Sequence, residues 1–432
     1  MRRLKGKTMS DIKWAFISTA MASLVHFILR TIIGRELGSD GLGVYTLAFT
    51  IYLLGMQFAA FGIGSALTKY VAEFLEDRLT IDKYISSGLT SSIITGTAMG
   101  LVLFLLAPHL ANSIFHTPEM EGMIKLISIC FPFIAIQKAV LGTLNGFRKM
   151  RRLAFLNIVQ NVSVVLISAV LVLSFDMSVM GAIIGLVVPT MIVGLLSPIL
   201  IRNHIAFASL WNGPALRATT VFGFYIVLGN SIGFLNTQMD NLFIGYYLDP
   251  SEVGIYAVAV LLAQTMTLIP TAIQYVTAPM TATLYGKGDV KGVRRLFFST
   301  LKKSLIMSAV SASILAVASP YIITLVFTDV YSTSYVPLLI LLVGYAISAS
   351  YGAVGATLAS IGMVKVSFRI HAMCALFNIL LNIMLIPILG IVGAALSTAG
   401  TMIANFIITV SIVKNYLSRG SKNECKSDSA GP

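Results

Sequence analysis

Apolar positions along this chain do not alternate with polar ones. They run on in stretches of about 20 residues or more, the length an α-helix needs to cross a hydrocarbon layer of ~30 Å, and each stretch ends at charges, Gly or Pro. Twelve spanning helices are predicted, at residues 12–33, 42–67, 84–107, 122–145, 153–175, 180–201, 220–247, 254–284, 302–327, 335–361, 370–388 and 391–413. A membrane β-barrel would show shorter segments of alternating polarity, so the pattern argues against one. The expected fold class is all-α integral membrane, with twelve transmembrane helices.

Composition agrees. Of the 432 residues 57% are hydrophobic and 11% are charged, against roughly 25% charged in an ordinary globular chain. The basic stretch 1–10 precedes an apolar run that is too long for a signal-peptide core, so the first helix is expected to be retained. Cys130, Cys374 and Cys425 make no disulfide framework.

Lys and Arg orient the helices. The N-terminal tail holds Arg2, Arg3, Lys5, Lys7 and Lys13, and alternate loops on the same side hold Lys69, Lys83, the cluster Arg148 to Arg152, Arg202, the cluster Lys287 to Lys303, Lys365 and Lys414. Of all the basic residues only Arg30, Arg35, Lys125 and Lys138 fall elsewhere. By the positive-inside rule both termini are cytoplasmic, and the localisation expected is the cytoplasmic membrane. The net charge of +13 is accounted for by a basic inner face beside anionic membrane lipids, and no nucleic-acid partner is implied.

An internal repeat divides the chain. At an offset of 211 residues, Ile33, Gly34, Leu37, Gly43, Tyr45 and Ala48 are answered by Ile244, Gly245, Leu248, Gly254, Tyr256 and Ala259. Asn157, Ile158 and Asn161 of the fifth segment reappear as Asn378, Ile379 and Asn382 of the eleventh. Each half contains six helices, so both halves start on the same side and the repeat is parallel. Two six-helix lobes are expected, 1–217 and 218–432, an architecture that usually belongs to alternating-access transporters.

The stretches GRELGSDGLGVYTLAF from Gly34, DNLFIGYYLDPSEVGIYAVAV from Asp240, LYGKGDVKGVRRLF from Leu284 and NILLNIMLIPILGIVGAALST from Asn378 resemble the polysaccharide biosynthesis proteins, or oligosaccharide flippases. Their superfamily includes the multidrug and toxin extrusion (MATE) antiporters and the lipid II flippases. The likeness covers essentially the whole chain. It implies a V-shaped, MATE-like pair of six-helix bundles that moves a polyprenyl-linked oligosaccharide from the inner to the outer leaflet. Glycosyltransferases and a polymerase of the same pathway would be partners. Lipid II flippases generally have fourteen helices, so a count of twelve favours the O-antigen or glycan-unit flippases.

No Walker A sequence, His–Glu pair at zinc spacing or Cys cluster is present, so no metal, cofactor or ATP-driven step is expected. Candidate chemistry lies inside the helices. Thr19, Ser23, His26 and Arg30 fall within roughly 60° of one face of the first helix. Arg30 admits two readings: an interfacial side chain reaching for water, beside a His satisfied by a neighbouring helix, or a guanidinium that binds the substrate diphosphate bidentately. Lys138, near the cytoplasmic end of the fourth helix, either reaches the interface or meets the head group on entry. Lys125 is expected to reach the outer interface.

Asn230, Gly233, Asn236, Thr237, Asp240 and Asn241 share an arc of about 140° on the seventh helix. Asp240 is the only acid placed in the membrane. It is either a structural acid, bonded to neighbours or paired with Arg30, or the site of ion coupling. Gln264, Thr267, Thr271 and Gln274 line one face of the eighth helix around Pro270, a predicted kink; their neutral groups suit sugar hydroxyls and helix packing alike. Asn157, Asn161, Asn378 and Asn382 are expected to tie helices together.

The leading expectation is a lipid-linked oligosaccharide flippase. A Na⁺- or H⁺-coupled drug or metabolite antiporter of the same fold is the alternative, disfavoured because the first six helices hold Arg30, Lys125 and Lys138 and no acid. A membrane glycan polymerase would need a sizeable outer loop, and the longest here runs only from about Pro108 to Glu121, so no enzyme is expected.

Overall fold

A computed structural model describes residues 2–206 and 209–428. Arg2, Arg3, Lys5 and Lys7, named above for the basic side, and Arg419, Lys422 and Lys426, which follow Lys414 on that side, have side chains outside the described ones. The described residues are almost entirely helical. Long apolar segments leave no alternative, because in a hydrocarbon phase every backbone N–H and C=O must be bonded within the segment.

The helices are α1 (Arg2–Ala60), α2 (Ile63–Glu73), α3 (Arg78–His109), α4 (Met120–Ile129), α5 (Phe131–Gly146), α6 (Met150–Leu173), α7 (Ser178–Leu196), α8 (Gly213–Tyr247), α9 (Pro250–Gln264), α10 (Leu268–Gly286), α11 (Val290–Val326), α12 (Tyr335–Gly352), α13 (Thr357–Ser360), α14 (Val364–Leu389) and α15 (Ile391–Asp428). Among the described residues ten helices are long and apolar enough to cross a membrane, and the bent pair α4 and α5 brings the number to eleven. The first of the ten, Phe16–Ala60, has 45 residues, about 67 Å of helix and twice what one crossing needs. Its backbone leaves helical geometry at Gly38, with φ 68° and ψ −170°. Glycine takes that conformation without a Cβ clash, so the long helix divides at Gly38 into two segments, each about as long as one crossing needs, in line with the first two predicted helices.

Three predicted helices are not continuous. The second, expected over 42–67, breaks at Phe61 and Gly62, where φ is 43° and 64°. One carbonyl near this break, that of Ala59, accepts the hydroxyl of Thr95 on α3 at 2.7 Å, which meets the need of a helix end for a partner. The fourth bends by 43° between α4 and α5. Pro132 causes this, since it has no N–H to give the carbonyl of Ser128 and its ring crowds the preceding turn. The eighth breaks into a 3-10 turn at Thr265–Thr267. This is the expected Pro270 kink, displaced to the turn that Pro270 cannot bond.

Two compact units divide the chain, Met1–Ser231 and Ile232–Pro432. The core of the first includes Ile63, Leu67 and Val71 of α2 against Ala139, Val140 and Leu144 of α5. A Cβ on Gly142 would stand 2.0 Å from the carbonyl oxygen of Gly64, so α5 lies against α2 at a distance only glycine permits. Thr68 exploits that approach by donating to the carbonyl of Gly142 at 3.0 Å. In the second unit Val293 and Phe297 of α11 pack with Tyr351 and Leu358 and with Val413 and Leu417 of α15.

Candidate functional site

Each unit holds a polar cluster inside its apolar helices. In the first, His26 and Arg30 lie one turn apart on α1, both half-buried, while Thr19 and Ser23 further down the stripe are exposed. His26 Nε2 meets Asn161 Oδ1 on α6 at 3.0 Å, and Asn161 donates its amide to the carbonyl of Asn157 at 2.7 Å. The amide of Asn161 therefore ties two helices together, and His26 is satisfied by a neighbouring helix.

Arg30 is placed differently. Its guanidinium sits 5.9 Å from the centre of the Phe49 ring, a cation–π contact. Phe49 belongs to a ladder of rings: it stacks on Tyr45 at 5.9 Å and on Tyr52 at 5.8 Å, and Tyr52 stacks on Phe131 at 6.3 Å. No carboxylate pairs with Arg30 among the described residues. Lys138 on α5 is likewise half-buried and without a carboxylate partner among them. Lys125, by contrast, is held by Glu121 at 2.6 Å and lies over the ring of Phe104.

Residue-by-residue reading of the sequence missed the aromatic ladder and a second network. Gln137 donates to Gln160 at 2.6 Å, and Gln160 to the hydroxyl of Thr190 at 3.2 Å. Gln137 is fully buried and its Oε1 has no donor. The i, i+4, i+7 spacing of Tyr45, Phe49 and Tyr52 was the available signal for the ladder.

The cluster of the second unit is built on an acid. Asp240 of α8 is buried, and three neutral donors of its own unit converge on it. Tyr256 of α9 donates its hydroxyl at 2.7 Å, Asn382 of α14 its amide at 2.7 Å, and Thr398 of α15 its hydroxyl. The amide of Asn382 also reaches Asn378 Oδ1 at 3.1 Å. Asn382 Oδ1 is buried with no donor. The cage is thus rich in oxygen, and one of its oxygens lacks a partner.

The remaining predicted residues divide. Asn236 donates to the carbonyls of Ile232 at 2.9 Å and His371 at 3.3 Å, so its amide fastens α8 to α14. Gln274 packs against Gly355, where an added Cβ would lie 3.1 Å from its Nε2. Gln264 is half-buried beside Tyr345. Asn230 is exposed. Thr267 and Thr271 give their hydroxyl protons to carbonyls of their own helix, those of Gln264 and Thr267, each at 2.7 Å.

Comparison with known proteins gives the chain its family and fold. A family model described as "MatE" matches residues 226–384. The lipopolysaccharide biosynthesis protein WzxC of Escherichia coli is 24% identical, over 96% of this chain and 80% of its own length. A probable low-salt glycan biosynthesis flippase of Haloferax volcanii, Agl15, is 23% identical over 95% of this chain and 84% of its own. Among solved structures, lipid II flippase MurJ in its inward closed conformation superposes with a TM-score of 0.77 at 18% identity, covering 93% of this chain and 87% of that one, which shows a shared fold. The family model described as "Polysaccharide biosynthesis protein" matches residues 9–285, more than half of the sequence, and the chain belongs to that family.

Proposed function

We propose that this protein flips a polyprenyl-(di)phosphate-linked oligosaccharide across the cytoplasmic membrane by alternating access, for the assembly of a cell-surface polysaccharide or glycan. One observation carries the reading: two cations, Arg30 and Lys138, lie half-buried within spanning helices and lack a carboxylate partner among the described residues. A cation there is costly without a counter-charge, and a substrate diphosphate supplies one. Arg30 presents a planar fork that matches phosphate oxygens, and Lys138 receives the head group as a point charge. The relatives named for glycan and lipopolysaccharide biosynthesis support the same cargo class.

Asn230 of the first unit and Gln264 of the second offer amides to sugar hydroxyls; His26, Asn236 and Gln274 are further contacts, each within its own unit, the first two with polar groups already bonded to a neighbouring helix. Asp240 is the coupling group, taking up a proton or a monovalent cation, and the unpartnered Oδ1 of Asn382 beside it supports this role. Both termini face the cytoplasm, where the glycosyltransferases that build the cargo work; the polymerase that uses it works on the other face.

The test is transport in proteoliposomes. A fluorescent polyprenyl-diphosphate oligosaccharide is expected to change leaflets with the wild type and far more slowly with Arg30→Ala. Equal rates for both would remove the phosphate-binding role. The match of residues 226–384 to the MatE model keeps a drug antiporter as the second reading. Export of cationic dyes that is abolished by Asp240→Asn, with no glycolipid movement, would put it first.

A further inference from the structure

At one end of the first unit, the start of α6 and the 3-10 turn Ser197–His204 after α7 line an open cavity of about 730 Å³. Its wall carries Lys149, Arg151 and Arg152 from the first element and Arg202 from the second. None of these four cations forms an ion pair among the described residues. Two acids are nearby and already paired: Asp11 holds Arg148 at 2.7 Å, and Asp82 holds His204, itself part of the cavity wall, at 2.9 Å and Arg78 at 3.7 Å. Burial and the neighbouring Arg152 guanidinium both push the Lys149 ammonium below the ordinary lysine range. The cavity gathers like charge that an anion would relieve.

The same wall has an apolar side. Phe155 and Ile199 line the cavity and are 64% and 57% exposed. Beyond Ile199, in the 3-10 turn, exposed apolar side chains continue onto the end of α7 at Leu196, Leu195 and Ile192, which share one helix face by their i, i+3, i+4 spacing. An inorganic anion makes no use of that strip. An amphiphile with an anionic head and acyl chains uses both parts.

We propose that this cavity binds an anionic phospholipid from the leaflet on the basic side of the membrane, with its phosphate among Lys149, Arg152 and Arg202 and its acyl chains along the exposed face of α7. The site is separate from Arg30 and Lys138 and does not depend on what the protein transports. Guanidinium groups suit it because they bind phosphate oxygens in pairs, and clustered basic residues on that face favour anionic lipid.

The full-length protein in detergent would be incubated with phosphatidylglycerol, phosphatidylcholine or inorganic phosphate, with retained lipid counted by native mass spectrometry and protection followed by thermal unfolding. Phosphatidylglycerol is expected to be retained in preference to phosphatidylcholine. Arg152 and Arg202 are exposed, so the double variant Arg152→Gln, Arg202→Gln is expected to fold and to weaken retention roughly tenfold or more. Lys302→Gln, Lys303→Gln removes two exposed cations from the second unit and should leave retention unchanged. Three results would overturn the proposal: equal retention of both lipids, an equal loss in the Lys302 and Lys303 control, or protection by inorganic phosphate that matches phosphatidylglycerol.

Discussion

The polar clusters of the two units occupy corresponding places in the repeat and differ in charge. Tyr45 and Tyr256 are equivalent at the 211-residue offset, as are Asn161 and Asn382 by motif. In the second unit the tyrosine and the asparagine both donate to Asp240. In the first, the asparagine binds His26, the tyrosine stacks in an aromatic ladder, and the charge is the Arg30 guanidinium over Phe49. One scaffold therefore surrounds an anion with donors and leaves a cation facing rings. A carboxylate with three donors is satisfied by the protein itself. A guanidinium has five N–H groups, and a π-face attracts the charge without accepting all of them. The unsatisfied partner is the one we assign to cargo.

Arg30→Ala gives the largest expected effect. Hydrogen bonding to a charged group contributes about 1.5–3 kcal/mol, so losing the guanidinium–phosphate contact, taken as a single contribution of that size, should slow flipping roughly 10- to 100-fold in proteoliposomes, with membrane insertion intact. Arg30→Lys should recover part of the rate, as it keeps the charge without the fork. A rate for Arg30→Lys no better than for alanine would point to packing against Phe49 as the role of the residue.

Asp240→Asn tests the other cluster, and its effect should fall on coupling. Flipping that responds to an imposed Na⁺ or H⁺ gradient in the wild type should lose that response. Stability should fall by about 1–2 kcal/mol, because the cage keeps its shape but loses charge-assisted bonds from Tyr256, Asn382 and Thr398. An unchanged gradient response would reduce Asp240 to a structural acid.

Lys138→Ala is expected to slow flipping only a few-fold, since a flexible ammonium meets the head group as a point charge and not through a fixed fork. A loss as large as that for Arg30→Ala would shift the principal phosphate contact from α1 to α5.

Much of this is legible in the sequence, for physical reasons. An Asp or Arg in an apolar run is conspicuous, so Arg30 and Asp240 stood out, and repeated asparagines at 161 and 382 marked helix ties because an amide in hydrocarbon needs a partner. Hydroxyls were less informative. Thr398 looks like many threonines that bond their own helix, as Thr267 and Thr271 do, and only tertiary packing turns it toward Asp240. The break near Pro270 is legible because that residue removes a donor; Pro132 carries the same signal, but the fourth helix is predicted to run on through it. At Phe61 the break is not legible, because a positive φ at a bulky residue is imposed by surroundings and has no local sequence signature. The basic cavity hid for a similar reason: Lys149 and Arg202 lie far apart in sequence, and the hydropathy pattern gives their side but not their convergence.

The smallest predicted effect separates the two clusters most directly. Tyr45 and Tyr256 are both 1% exposed and equivalent in the repeat, so Tyr45→Phe and Tyr256→Phe remove the same oxygen from the same depth. Tyr256 donates that hydroxyl to a buried carboxylate at 2.7 Å, and its loss should lower stability by about 1–2 kcal/mol. Tyr45 contributes its ring to the ladder, which phenylalanine preserves, so its variant should stay within about 0.5 kcal/mol of the wild type. Thermal unfolding of the two variants side by side reads the difference. Equal shifts would mean that the hydroxyl of Tyr45 has as demanding a partner as that of Tyr256, and the contrast between a satisfied anion and an open cation would then fail at its most symmetrical point.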